Sequence, residues 1–288
     1  MRRGFIRAHR GESGPIGKAC ETPRVSRSEC CDCLNRPKSS AQTGREALEG
    51  FVAGWFEPHK GRYGYRRINR GLGRDGIVVS ERRVLAAMRG PGPRAKGATR
   101  RRGRAKPAGK GGPRASLVNR VFDVDAGNRL WVGDITHIDT DGGRLCLAAA
   151  MDARHRKVVG CSMSGKVTGR LPIDALGQAV GREGPPDGFS PAFHDDRGSQ
   201  YTSRALQGCL ESHGVARSMS RPGNPRGDAV AESFFKALKR ELVNDGRYRS
   251  GDEARREVLR YTEPCCNRQR LHSKNGYMAP CDLERDAA

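Results

Sequence analysis

The pattern between residues 130 and 219 constrains the fold of this chain more than any other feature. Three apolar, β-branched runs come first, near 130–139, 144–151 and 157–163, and Gly142-Gly143 supplies the turn of the first hairpin. Helices and strands then alternate, with helices near 171–182 and 200–213 and strands near 190–195 and 215–219. This order predicts an α/β fold with a mixed five-stranded sheet and flanking helices.

Three carboxylates occupy these elements in an order that indicates one site. Asp134 lies in the first predicted strand, Asp196 follows the fourth, and Glu232 lies on a helix predicted from Asp228 to Leu242, with 35 residues between the last two acids. Carboxylates are the hard oxygen ligands that Mg²⁺ prefers, and Mn²⁺ can substitute for it. The sequence therefore predicts that the three acids hold two metal ions and catalyse phosphodiester chemistry.

Each acid also has a structural interpretation when it is taken alone. A strand aspartate often pairs with arginine, and Glu232 can pair with Lys236 at the i+4 position. Two further residues are supporting candidates for the site. His194 precedes Asp196 by two residues, so strand alternation predicts that both face the same way, either to orient a ligand or as a hydrogen-bonded structural histidine. Asn224 lies in the loop before the last helix.

Five segments resemble a known family and occur in that family's order: Trp131–Ile138, His194–Ser203, Ser218–Pro225, Ala231–Phe235 and Asn267–Ser273. With these residues the chain resembles the OrfB transposases of bacterial insertion sequences, in the insertion sequence 3 group, whose core is similar to retroviral integrases. The resemblance implies an RNase H-like fold and DNA strand transfer at a DDE site that uses two Mg²⁺ ions. It also implies an upstream OrfA-type partner and homo-oligomers on DNA.

The net charge of the chain is +22, with a sequence pI near 10.2. An excess of Lys and Arg on this scale is favourable only beside a polyanion, and nucleic acid is the usual one. A membrane surface is the competing partner, but the longest apolar runs are too short to span a bilayer and no apolar signal segment follows Met1. We therefore expect DNA as the partner and a cytoplasmic, nucleoid-associated location in a bacterium.

The basic residues fall into three groups that predict different DNA contacts. Residues 59–90 have a helix-turn-helix pattern, although a plain helical hairpin with solvated arginines is the alternative. Residues 91–116 contain nine Lys or Arg and no acids, which predicts a flexible basic linker along phosphates. Gln200 and Tyr201 either contact DNA or brace the site. The predicted DNA-contacting residues are Arg66, Arg67, Arg82, Arg83, Arg101, Arg102, Gln200, Tyr201, Lys236, Lys239 and Arg240.

The resulting division has five parts, of which the catalytic core spans residues 117–243. A poorly defined helical region precedes the helix-turn-helix region, and a helical extension follows the core, in which Pro264 is expected to break a helix near its end. The remaining ranges are 1–58, 59–90, 91–116 and 244–288.

Several residues depart from the pattern of the family. Asp195 and Asp228 add carboxylates near the predicted cleft, Gly227 replaces a polar residue, and cysteines stand where relatives carry large aromatic residues. The Cys30-Cys31-Asp32-Cys33 cluster lacks the paired spacing of a zinc site, so substituted core positions explain the cysteines better than metal ligands. Two alternatives to a transposase remain: a catalytically decayed DNA-binding protein that occupies element ends, and an RNase H-like nuclease without strand transfer.

Overall fold

The structure is a computed structural model. It describes residues 26, 28, 37–89, 92–96, 124–184, 191–195, 200–219, 229–244 and 246–287. Several predicted features lie outside these residues: the cysteine cluster at 30–33, most of the basic linker with Arg101 and Arg102, Asp196, Asn224, and the pair Gly227 and Asp228.

Five strands form one mixed sheet. They are β1 (Leu130–Thr140), β2 (Gly143–Asp152), β3 (Val158–Ser164), β4 (Ala192–Asp195) and β5 (Ala216–Met219). The spatial order is β3-β2-β1-β4-β5; the first three strands are antiparallel, whereas β4 runs parallel to both β1 and β5. This topology confirms the predicted five-stranded mixed sheet and the RNase H-like strand order.

Helices cover both faces of the sheet. On one face lie α4 (Arg170–Glu183) and α5 (Arg204–Ser212), packed around Trp131 and Phe193. On the other lie α6 (Ala229–Leu238), which continues as a π-helical turn (Lys239–Val243), and α7 (Gly251–Arg260). Each face therefore has its own apolar core, and strand alternation sends odd-numbered and even-numbered residues of β1 to different cores.

Among the described residues, three long helices precede the sheet in the chain and share one core. They are α1 (Ser40–Phe56), α2 (Tyr65–Arg74) and α3 (Glu81–Arg89), and they enclose Val52, Ile68, Leu72 and Val84. The turn between α2 and α3 contains Gly76 at a φ of 78°, a conformation that glycine adopts without strain. The helix-turn-helix geometry predicted between residues 59 and 90 thus has both of its helices, with α1 packed against them.

The C-terminal extension differs from its prediction at Pro264. The chain does not break there: α7 runs directly into a π-helical segment, Tyr261–Gln269, that contains the proline. A proline in an α-helix clashes with the carbonyl four residues earlier, whereas the wider π-helical turn displaces that carbonyl. A 3-10 turn (Ser273–Asn275) and α8 (Pro280–Ala287) complete the chain. Within the described residues, no helix is long and apolar enough to cross a membrane.

Asn267 in the π-helical segment closes the outer edge of the sheet. Its side-chain oxygen accepts a hydrogen bond from Val158 N at 2.9 Å, and its amide nitrogen donates to Val158 O at 2.9 Å. The asparagine is buried and replaces the neighbouring strand that β3 lacks at this residue. The extension is therefore joined to the sheet by hydrogen bonds of the kind that join two strands.

Candidate active site

Asp134 lies near the middle of β1, between two hydrogen-bonded neighbours. It pairs with Ala149 of the antiparallel strand β2, and the preceding residue, Gly133, pairs with Asp195 of the parallel strand β4. The side chain is half-buried, and its Oδ1 accepts a hydrogen bond from Ile135 N at 2.7 Å. A carboxylate held in the centre of a sheet has little freedom to rearrange, which suits a metal ligand.

The side chain of Asp134 belongs to the face covered by α6. Val132 of β1 packs in the core that contains Val230 and Ala231 of that helix, and alternation places Asp134 on the same side of the strand. Trp131, by contrast, packs in the core under α4 and α5. The parity of β1 therefore directs Asp134 toward the helix that carries Glu232.

Glu232 lies in the first turn of α6, which packs against β1 and β2. Its neighbours Ala231 and Phe234 are buried, while the glutamate side chain remains 42% exposed. Its Oε2 accepts a hydrogen bond from Lys236 Nζ at 2.9 Å. The pairing of Glu232 with Lys236 is thus present in the structure, and a catalytic role for Glu232 stays a prediction.

Asp195 does not add a carboxylate to this site, so that expectation is wrong. Asp195 pairs with Gly133 and therefore lies on the side of β1 opposite to Asp134. It is fully buried, and two nitrogens of Arg217 donate to its two oxygens at 3.4 Å each. The same guanidinium donates to Tyr201 O, so the aspartate anchors the segment that follows β4.

His194 lies on the Asp134 side of the sheet, because it pairs with Val132. The ring is buried, and its Nδ1 lies 3.0 Å from Ser218 Oγ on β5. Burial lowers the pKa of His194, which favours the neutral ring. His194 therefore makes the hydrogen bond expected of a structural histidine, and its role in orienting a ligand stays a prediction.

The predicted DNA-contacting residues divide by exposure. Arg66, Arg82 and Arg83 are exposed on α2 and α3, and Lys236 and Arg240 are exposed beyond Glu232; Lys239 is half-buried. Two others point inward, and their assignment needs correction. Tyr201 is buried against Phe193, so it braces the fold, and Arg67 donates its Nε to Leu271 O at 2.8 Å. Gln200 is half-buried, and its carbonyl accepts from Ser203 Oγ at 3.2 Å.

In the described part of the chain, no group of three or more His, Cys, Asp or Glu side chains is arranged to hold a metal ion. The third predicted ligand, Asp196, lies outside that part. Four cysteines are buried in or beside the apolar cores, as expected for substituted core positions: Cys146, Cys161, Cys265 and Cys266. The two predicted ligands that the structure describes, Asp134 and Glu232, lie on elements that pack against each other.

One buried ion pair was not anticipated from the sequence. Glu241, in the π-helical turn after α6, accepts hydrogen bonds from Arg270 Nη1 and Nη2 at 2.6 Å each and from Tyr261 Oη at 2.9 Å. Burial alone raises the pKa of Glu241, but the hydrogen bonds and charge of Arg270 outweigh it and the net pKa is lowered. The available signal was a charged residue beside Leu238 and Leu242, at helical positions that are otherwise apolar.

Comparison with known proteins agrees with this geometry. Residues 125–225 and residues 213–280 both match families described as Integrase core domain. Over 252 residues the chain is 40% identical to the "Transposase for insertion sequence element IS904" of Lactococcus lactis subsp. lactis (strain IL1403), covering 88% of this chain and 99% of that protein. It is 35% identical over 283 residues to the "Transposase InsF for insertion sequence IS3A" of Escherichia coli (strain K12), covering 97% of each.

The chain belongs to the IS3-group transposases. The aligned residues cover nearly the whole length of these relatives. The match therefore extends beyond the integrase core to the helices before the sheet and the extension after it. Among solved structures, the catalytic core of HTLV-2 integrase, determined in complex with magnesium, matches 56% of this chain and 98% of that chain at 21% identity with a TM-score of 0.42.

Proposed function

We propose that this transposase cleaves the ends of its insertion sequence and joins them to target DNA at a site formed by Asp134, Asp196 and Glu232, with two Mg²⁺ ions as cofactors. The observation that carries the proposal is the placement of Asp134 on the sheet face that α6 covers, since α6 presents Glu232. Three carboxylates of this kind hold divalent ions without needing a protein nucleophile.

Asp196 is included because of its place in the chain. It follows Asp195 directly, and Asp195 is paired with the residue that precedes Asp134. The side chain of Asp195 lies on the face opposite to Asp134, so Asp195 is not available as the second acid, and Asp196 is the acid next to it in the sequence. This argument supports Asp196, and not Asp195, as the second acid of the site.

Asp134, Asp196 and Glu232 would hold the metal ions, which would supply a lower pKa for the attacking hydroxyl and stabilisation of the charge on the leaving oxygen. The side chains of the transposase supply the positions. Asp134 contributes oxygens fixed by Ile135 N, and Glu232 contributes oxygens from a helix anchored by Phe234 and Phe235. Lys236 and Arg240 are exposed on and just beyond that helix, where they can neutralise DNA phosphates.

The test compares Asp134→Asn and Glu232→Gln with two matched controls. Asp139→Asn changes an exposed aspartate of the same strand, and Glu257→Gln changes a helical glutamate that pairs with Arg260. The assay uses Mg²⁺, duplexes with the DNA that flanks this reading frame, and a supercoiled target plasmid. The site variants should lose about a hundredfold or more of strand joining with DNA affinity retained, whereas the controls should join normally.

The outcomes separate the proposed activity from its alternatives. Full joining by either site variant would remove that acid from the site. DNA binding by the parent protein without metal-dependent nicking would indicate a decayed DNA-binding protein. Nicking without joining would indicate a nuclease.

End recognition involves the exposed arginines of α2 and α3 and an upstream OrfA-type product. The support is the charge of the chain, since a protein with a net charge of +22 binds any DNA appreciably and needs base contacts or a partner to discriminate. Competition binding at near-physiological salt tests this division. The isolated chain should prefer its own terminal repeats only slightly, and fusion to the upstream product should enlarge the preference. Strong selectivity by this chain alone would assign end recognition to α2 and α3.

A further inference from the structure

Two segments that have no part in the chemistry above contact each other. Tyr63 lies just before α2, and its hydroxyl donates to Gln269 O at 2.8 Å and accepts from Leu271 N at 3.0 Å. Arg67, in the first turn of α2, donates to Leu271 O at 2.8 Å. The tyrosine is only 1% exposed, so these hydrogen bonds have no competition from water. The three-helix unit is thereby joined to the segment at 269–271.

The residue between these two contacts reaches the catalytic helix. Arg270 forms the two-pronged ion pair with Glu241, and both side chains are buried. Glu241 lies in the π-helical turn that continues α6 without a break, nine residues after Glu232. Lys96, which follows α3, donates its backbone N to Gly61 O at 2.8 Å and lies with its Nζ 3.5 Å from Glu241 O. Two short paths therefore connect the three-helix unit to the end of α6.

We infer that Tyr63, Arg270 and Glu241 are positioning residues that couple DNA binding by α2 and α3 to the helix that carries Glu232. The inference rests on the proposed function for its purpose but not for its physical basis. A buried ion pair has few alternative arrangements, and so does a buried hydroxyl that makes two hydrogen bonds. The elements that these contacts connect therefore move together. DNA held on α2 and α3 would then set the position of α6 relative to the bound strand.

A simple role in holding the fold together makes a different prediction from coupling. Structural cross-links of equal strength should be interchangeable in their effect, whereas coupling depends on where the bond lies. Tyr63→Phe removes a buried hydroxyl that joins the two units. Tyr248→Phe is the matched control, because Tyr248 is also buried and its hydroxyl donates to Leu242 O at 3.3 Å, a hydrogen bond that does not join the three-helix unit to the rest of the chain.

The experiment measures hydrogen exchange of the full chain with and without a saturating random-sequence DNA duplex. The reporter is the pair of backbone amides at Glu241 and Leu242, read individually, because these two side chains are buried whereas the neighbouring Lys239 and Arg240 are themselves predicted DNA contacts. In the parent protein and in Tyr248→Phe, DNA should slow its exchange about fivefold or more, the lower end of typical couplings between sites. In Tyr63→Phe the protection should fall to less than half of its value in the parent, because the contacts of Arg67 and Lys96 remain, while DNA affinity stays within about twofold of the parent.

Two results would overturn the coupling: no protection of the Glu241 and Leu242 amides in the parent protein, or equal protection in Tyr63→Phe and Tyr248→Phe. If Tyr63→Phe does not fold, Arg67→Met takes its place, because it removes the hydrogen bond from Arg67 to Leu271 O. The same results would then support or overturn the coupling. A second assay maps cleavage positions on duplexes that contain the flanking DNA. Tyr63→Phe should scatter the cuts over several nucleotides where the parent cuts at one. Absence of Mg²⁺-dependent cutting by the parent would count against the proposed function, while the exchange assay would still decide the coupling.

Discussion

Replacing Arg270 with methionine should destabilise the transposase by about 3–5 kcal/mol, the usual cost of leaving one member of a buried ion pair without its partner. Glu241 is fully buried and takes two of its hydrogen bonds from Arg270 at 2.6 Å. In the variant the carboxylate keeps Tyr261 Oη, at 2.9 Å, and the more distant Arg240 Nη2, at 3.5 Å. These two contacts do not replace a buried guanidinium.

The second variant in this experiment is the double replacement Glu241→Gln with Arg270→Met. Replacing the unpaired Glu241 carboxylate with a neutral amide should recover at least half of the lost free energy of unfolding. A buried amide that still accepts a hydrogen bond from Tyr261 costs only about 1–2 kcal/mol. Urea denaturation monitored by circular dichroism gives the two midpoints, and the difference from additivity gives the coupling energy of the pair. The single variant at Glu241 completes the cycle.

The pH dependence of Arg270→Met provides an independent check on the cause. Without Arg270, burial raises the pKa of Glu241 above its unfolded value, so the destabilisation is full above that pKa and is relieved as protonation proceeds at lower pH. The deficit relative to the parent protein should therefore be smaller at pH 5 than at pH 7. A deficit below about 1 kcal/mol at pH 7, or a double variant no more stable than the single one, would refute the reasoning.

Three further predictions follow from described contacts. Burial and the charges of Arg156, Arg270 and Arg67 lower the pKa of His272 from 6.5 to about 4. The unfolded chain therefore binds the proton first, and the free energy of unfolding should fall by up to roughly 3 kcal/mol as the pH drops from 6.5 to 4. His272→Asn, which retains an acceptor for Lys274 N, should flatten that pH dependence in urea titrations. Asn267→Ala should lower the free energy of unfolding by about 2–4 kcal/mol and speed hydrogen exchange of the Val158 amide, because both backbone groups of Val158 lose their partner. An unchanged melting temperature would contradict the role of Asn267 at the sheet edge. Gly160→Ala should lower the free energy of unfolding by about 1–3 kcal/mol, because the new Cβ would lie 2.1 Å from Ala175 O. Gly177→Ala, at an exposed position inside α4, should instead raise it by about 0.5–1 kcal/mol. Equal effects of the two substitutions would show that α4 does not pack on β3 as described.

Local patterns in the sequence were enough to predict the sheet and the position of Asp134 within its first strand. Each predicted strand lies within about two residues of its observed range, because apolar β-branched runs and glycine turns act over a few residues. These predictions hold because they depend on the backbone period and not on distant contacts.

Distant contacts account for the residues whose roles were mistaken. Arg67 looked like a solvent-facing arginine on an amphipathic helix, but its partner, Leu271, lies 204 residues away in the chain. The pair Glu241 and Arg270 is separated by 29 residues and a change from α-helical to π-helical geometry. No local periodicity encodes such pairs. A polar residue at an apolar position signals that a partner exists without showing which residue it is.

The ion pair between Glu232 and Lys236 does not weigh against a catalytic glutamate once magnitudes are compared. The two side chains are 42% and 77% exposed, and an i to i+4 pair of that kind stabilises a helix by only about 0.3–0.5 kcal/mol. A carboxylate in a divalent metal site gains far more from its ligand than it loses by releasing a solvated ammonium group. Lys236 then remains free to neutralise a phosphate oxygen. The pair is therefore the arrangement expected of this helix without metal, and a glutamate that had only a structural role would show the same contact.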